Sequence, residues 1–334
     1  MGQLFRRVET GMRWALVAAI VGMSAACGDG GGGGSSGVTY TGATTPAAVT
    51  SSNAVAIAST AYQGGNSSGS LTLVGVAVGP ANQSGGGLSP VPAVAISRAL
   101  TDAVRAAHLG SPSSSPAIVG ASVSVSEPLP DGTCGGTASY TGTADDVTGA
   151  INATFSFNNW CNDGVTISGS VTVSGQVDVS GPTPVLVSLT FSFTVLTVSD
   201  GTDTFTGTGT ISLDFGTTPE SLTMAMDFRD GNGAVYRVSN FVVTVTPTGG
   251  GEDVSLSGRF YHPDYGYGDV VTVTPFFVAT GDTFPSSGQL VVTGAVGSKA
   301  RLTALSSTQF QIEVDADGDD VYETTIGPVD WTSV

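Results

Sequence analysis

From Ile118 to the C-terminus, apolar and polar side chains alternate with a period of two. Val165, Ile167, Val171, Val173, Val177 and Val179 take odd positions, with mostly Thr, Ser, Gln and Asp between them. Val185, Val187, Leu189, Phe191, Phe193 and Val195 continue the series, as do Phe205, Ile211, Leu213 and Phe215. After Gly216–Pro219 the phase flips to Leu222, Met224, Met226 and Phe228. This alternation predicts strands with one dry and one wet face. Turn signals at Asp200-Gly201, Asp230-Gly231-Asn232-Gly233, Gly249-Gly250-Gly251 and Asp317-Gly318 separate the runs. Most gaps suit hairpins, so neighbours in sequence are expected to be neighbours in the sheet. No long helix separates the strands, which excludes a parallel α/β sheet. Uneven turn spacing excludes a solenoid. So many strands cannot form one flat open sheet without curling or splitting. The predicted fold class is mainly β: a large antiparallel meander, either a curved half-barrel or a two-sheet sandwich.

Two short helices are expected ahead of it. Asn53 is placed to cap Ala54–Tyr62, which runs into Gly64-Gly65. Val91–Leu109 is bracketed by Pro90 and Pro92 at its start and by Gly110 and Pro112 at its end, with Val94, Leu100, Val104 and Ala107 near one face. A strand, Leu71–Val78, is expected between them.

The N-terminus points to export. Arg6, Arg7 and Arg13 precede an apolar run from Trp14 to Met23, then Ser24, Ala25, Ala26 and Cys27. The run is shorter than the ~20 residues that span a bilayer, and its layout is that of a secretory signal peptide. The cysteine directly after small residues resembles the lipobox of bacterial lipoproteins, with Ser24 standing where that family usually has Leu. The resemblance implies acylation of Cys27 and cleavage before it, so the membrane becomes a partner through acyl chains. Gly28–Gly37 is nearly all Gly and Ser, a flexible tether. The expected organisation is a signal peptide at 1–26, lipidated cysteine and tether at 27–42, helices and a strand at 43–117, and the β domain at 118–334. The tether argues against an outer-membrane barrel, as does the end Thr332-Ser333-Val334, where such barrels usually have an aromatic.

The full chain carries a net charge of −17. Removing residues 1–26 takes away three Arg and Glu9, leaving 7 basic and 26 acidic groups and a charge of −19. Nucleic acid and anionic lipid surfaces need clustered Lys and Arg, so neither is expected as a partner. Charged residues are only 11% of the chain and hydrophobic ones 40%, enough for a sizeable core. With Cys27 assigned to lipid, Cys134 and Cys161 remain, and an oxidising compartment predicts a disulfide between them. It would clip the hairpin of Gly136–Thr143 and Ala150–Asn158.

Two stretches offer chemistry. Gly258–Asp269 concentrates Phe260, Tyr261, His262, Asp264, Tyr265 and Tyr267, rings and carboxylates of the kind that bind sugars or peptides. The competing reading is a strand end and turn whose aromatics cover the mouth of the sheet. Asp315, Asp317 and Asp319 match positions 1, 3 and 5 of a Ca²⁺ loop of the EF-hand kind, with Asp320 and Glu323 beside them. Position 6, a glycine in that loop, is Asp320, and position 12 is Ile326. A hairpin turn between Gln309–Val314 and Val321–Ile326 is therefore favoured, with weak Ca²⁺ binding or none. His108, at a helix end, needs no role beyond complementing the dipole. There is no His-Glu-x-x-His and no phosphate loop.

The lipobox, the tether, Gly258–Asp269, Gly288–Ala295 with Ala300–Thr303, Asp315–Glu323 and Trp331 together resemble uncharacterised proteobacterial envelope lipoproteins. That resemblance implies a localisation, and the group has no assigned activity to carry over. Three functions stay open: a non-catalytic binding or structural envelope protein, a periplasmic carrier of lipid or another hydrophobic ligand, and a carboxylate-based glycan hydrolase. The last has no short linear signature.

Overall fold

The alternation becomes a single sheet. The computed structural model describes residues 37–65, Leu100 and 122–333, the last span without 129–131, 146, 163, 181–184, 200, 202–203 and 218. Fourteen strands follow one another: β1 (Ser122–Pro128), β2 (Gly135–Asp145), β3 (Ala150–Asn162), β4 (Val165–Asp178), β5 (Val185–Ser199), β6 (Thr204–Asp214), β7 (Glu220–Arg229), β8 (Val235–Thr248), β9 (Gly251–His262), β10 (Gly266–Ala279), β11 (Ser287–Thr293), β12 (Lys299–Ser306), β13 (Gln309–Asp315) and β14 (Thr324–Asp330). Their spatial order is their sequence order, and each neighbouring pair is antiparallel. No hydrogen-bonded pair among the described residues joins β1 to β14, so the sheet is open.

Alternate positions decide the two faces. Leu189, Phe191, Leu222, Met224, Phe241, Val243, Leu290 and Ile312 point inward and have no exposed surface. The face assignment read from the sequence slips where the strands bulge. Register shifts between Phe193 and Leu196, so Leu196 and Val198 are buried and Val195 is not. Val185, expected inward, is 45% exposed. The bulge is seated on Gly169, at φ +126°, where a Cβ would lie 2.4 Å from the Val195 carbonyl oxygen. Such bulges bend a strand and strengthen its twist, which a wide sheet needs in order to wrap one dry face.

One α-helix is found among the described residues, not two. It is α1 (Ala54–Gly65), which lies on the inner face against β8, β9, β11, β12 and β13. Val91–Leu109 and Leu71–Val78 fall outside the described residues, Leu100 apart; Leu100 is buried in the same core cluster. Ala54, Ala58 and Ala61 have no exposed surface, and small side chains let the helix sit close to the sheet. Buried Ser59 donates its hydroxyl to the Val55 carbonyl one turn earlier (2.7 Å), which satisfies it without an outside partner. Asn53 does not cap the helix as expected. Its carboxamide turns back, accepting from Thr50 N (2.8 Å) and donating to Ala48 O (2.9 Å). At the far end Tyr62 meets Phe276 and Trp331, with ring centroids 4.7 and 5.1 Å apart.

Residues 37–49 form a strap from the outer face, over the rim, to α1. Tyr40 N donates to Asp227 Oδ2 (2.8 Å), and its ring lies against Tyr261 and Arg237 on the outer face of β8 and β9. Thr45 and Ala47 exchange hydrogen bonds with Tyr267, and Ala295 N donates to Ala47 O (2.7 Å). Val38, Tyr40, Ala47 and Val49 are all buried. Residues 37–42, grouped with the tether by composition, thus belong to the folded body. Cys134 and Cys161 form the expected disulfide, with Cα atoms 5.1 Å apart, where β2 and β3 begin to pair.

Candidate functional site

Because every connection is a hairpin, alternate turns gather on one rim of the sheet. The aromatic stretch (β9–β10 turn), the acidic loop (β13–β14) and the Asp230–Ala234 turn (β7–β8) all lie on that rim. Sequence separation between the first two is about 50 residues, and only the meander brings them to the same edge.

The aromatic stretch is largely consumed by the fold. Phe260 points inward and is 1% exposed, in a row of rings with Tyr236, Phe228 and Phe205. Tyr261 and Tyr267 lie on the outer face, 5.2 Å apart, and flank the strap. Arg259 stacks 3.9 Å over Tyr267 and holds Asp269 with two bonds of 2.7 and 3.1 Å. His262 is 8% exposed, its ring 4.5 Å from that of Tyr265 and edge-on to Tyr236 at 5.7 Å. Burial holds its pKa below the usual histidine value, with Asp264 opposing. Only Asp264 and Tyr265 present substantial surface. Four of the six predicted binding residues, Phe260, Tyr261, His262 and Tyr267, are thus taken up by the core or packed beside the strap, and Asp264 and Tyr265 remain at the surface.

The same carboxylate–arginine–tyrosine arrangement recurs across the outer face. Asp227 and Arg237 pair at 2.6 Å, with Arg237 between Tyr40 and Tyr261. Glu313 pairs with Arg301, which lies 3.8 Å from the Tyr322 ring. Asp227, Asp269 and Glu313 are thus each held by an arginine. Sequence reasoning missed this set, since its partners lie on adjacent strands and no short motif joins them.

The acidic loop folds further than a two-residue turn. β14 begins at Thr324, so Val321 and Tyr322 are loop, not strand as expected. One carboxylate oxygen each from Asp315, Asp317, Asp319 and Glu323 lies within 4.8 Å of the other three. Asp320 does not join them; it pairs with Lys299. Asp315 is fully buried, and it accepts from Gly318 N (2.7 Å), Asp320 N (3.0 Å) and Lys299 Nζ (3.5 Å). Burial alone would raise its pKa, but these donors hold it below the usual carboxylate value. Four oxygens at this spacing suit a hard cation, yet the most buried ligand is already satisfied by the protein.

Neither Asp264 nor Asp269 makes a two-acid pair. Asp269 is bound by Arg259, and Asp264 is 77% exposed beside His262. Glu220 and Glu252 flank β8 on the opposite rim, and burial raises both pKa values. Cys27 lies outside the described residues. Comparison of the chain with known protein families, with curated proteins and with solved structures finds no match.

Proposed function

We propose that the chain is a lipid-anchored protein of the bacterial cell envelope that acts through its outer surface, without catalysis and without an enclosed ligand. The observation that carries the reading is the filled inner face. Ile167, Leu189, Ile211, Leu222, Phe241, Leu290 and Ile312, from seven strands, have no exposed surface. A hollow open to solvent would leave its lining partly accessible, so side chains with none are in packing contact. That favours a solid body over a hydrophobic-ligand carrier.

The outer face supports contact with neutral partners. Cross-strand register aligns Thr141, Thr154, Thr172, Ser192 and Thr210 in one row and Thr143, Asn152, Ser174, Thr190 and Ser212 in the next. No charge interrupts either row. Hydroxyls both donate and accept, which suits a neutral glycan or a peptide backbone. The acidic balance of the chain disfavours polyanions. Gly37 lies against Thr194 and Thr208, so the Gly/Ser tether joins the body on this outer face.

The test is fractionation of cells that make the wild type and Cys27→Ser. The wild type should sediment with membranes and carry labelled fatty acid, whereas the variant should do neither. Organic extraction of the pure wild type should yield no lipid beyond the anchor's own chains. Membrane association independent of Cys27 would remove the anchor. Stoichiometric free lipid would remove the solid-body reading.

A further inference from the structure

The strap is hooked over the β9–β10 turn, and the hook is built around a histidine. Tyr40 Oη is shared between two acceptors, His262 O (2.9 Å) and Ala43 O (2.8 Å). Ala43 N donates to Pro263 O (3.1 Å). Within the turn, Asp264 N donates to His262 Nδ1 (3.2 Å). A ring nitrogen that accepts carries no proton, so the neutral imidazole has its hydrogen on Nε2. The carbonyls of His262 and Pro263, beside this ring, thus hold Tyr40 and Ala43 of the strap.

We propose that the turn is an acid-sensitive latch: protonation of His262 removes the acceptor for Asp264 N and loosens the strap from the outer face. A solvent proton taken up at Nδ1 turns that nitrogen from acceptor to donor. The Asp264 N–H is left to water, and the new N–H faces Asp264 Oδ2, 4.0 Å away. Closing that gap moves the turn and with it the carbonyls of His262 and Pro263.

The charged and titratable groups around the ring are few. Asp264 and Tyr265 belong to its own turn, Tyr236 comes from β8 and Tyr40 from the strap. Asp230, in the adjoining turn, acts on Tyr236, and Arg237, on the outer face, pairs with Asp227 and lies over Tyr40 and Tyr261. Burial disfavours the charged ring, which places the change below the ordinary histidine range. With the folded pKa depressed, the unfolded state binds the proton first. Stability is then lost as pH falls through the unfolded value of about 6.5 and on down to the folded one. The device does not depend on the anchor.

Hydrogen exchange of the whole purified protein tests it, between about pH 5 and pH 8. Rates are corrected for intrinsic chemistry, and peptides covering 38–49 are compared with those of β12 and β13. The strap should open several times more readily at the acid end, where the ring takes up its proton. Its midpoint should track the His262 ring signal by NMR while β12 and β13 stay protected. In His262→Gln, whose side chain accepts without titrating, the strap should stay closed throughout. A strap insensitive to pH in the wild type, or equally sensitive in His262→Gln, overturns the latch. Should that variant fail to fold, Tyr40→Phe decides. Its strap should be open at both pH values, and wild-type protection at neutral pH would sink the proposal.

Discussion

Trp331 joins the last turn of the chain to the core, and replacing it measures how firmly. The side chain is 1% exposed. Its ring meets Phe310 at 4.5 Å, Tyr62 of α1 at 5.1 Å and Phe284 at 5.6 Å, the last nearly parallel. Its Nε1–H donates to Ser306 O at 3.1 Å. One residue thus connects the helix, the β10–β11 connection and the last strands. Deleting a buried Trp side chain to Ala costs roughly 3–5 kcal/mol. About 1 kcal/mol of that is the unpaired Ser306 carbonyl. Trp331→Phe keeps an aromatic ring but loses the N–H and some volume, and should cost about 1–2 kcal/mol. Equilibrium urea unfolding, followed by circular dichroism with the disulfide intact, gives both numbers. Two variants within ~0.5 kcal/mol of wild type, the range of ordinary surface substitutions, would refute the reasoning. The C-terminal turn would then be an ornament on the sheet rather than a part of its core.

Two other outcomes follow from the same geometry. Cys134 and Cys161 are 27 positions apart, so replacing both by Ser should cost about 3.5 kcal/mol in the chain-entropy limit. Dithiothreitol should lower the wild type to the same stability, and a loss under about 1 kcal/mol would show that the β2–β3 ladder needs no clip. For the acidic loop, millimolar Ca²⁺ should raise the melting temperature by no more than about 1–2 °C, since Asp315 already has its donors. A rise of several degrees that Asp317→Ala abolishes would show that the four carboxylates form a working site.

Some elements were legible because the information is local. Leu222, Met224, Met226 and Phe228 are inward as their spacing predicts, and Cys134 and Cys161 form the disulfide expected of them. The acidic stretch was harder. Matched against a helix–loop–helix pattern, it lacks the last ligand, with Ile326 at that position. In the fold Glu323 reaches the cluster while Asp320 turns to Lys299. For the aromatic stretch, composition left a binding surface and a covered rim both open, and only the fold places Phe260 in the core and Tyr261 and Tyr267 beside the strap. Composition does not say which face of a strand a ring occupies.

By itself the sequence determined the strand content, the hairpin order, the dry and wet faces between bulges, and the net charge. Each is a property of a few neighbouring residues, since the backbone alternates its side chains every second position. Only the tertiary structure decided where Val195 leaves the core, that Tyr40 meets a carbonyl 222 positions away, and that inner-face residues from seven strands have no exposed surface. Those outcomes depend on register accumulated over many strands. Each bulge resets that register, so no local pattern carries it.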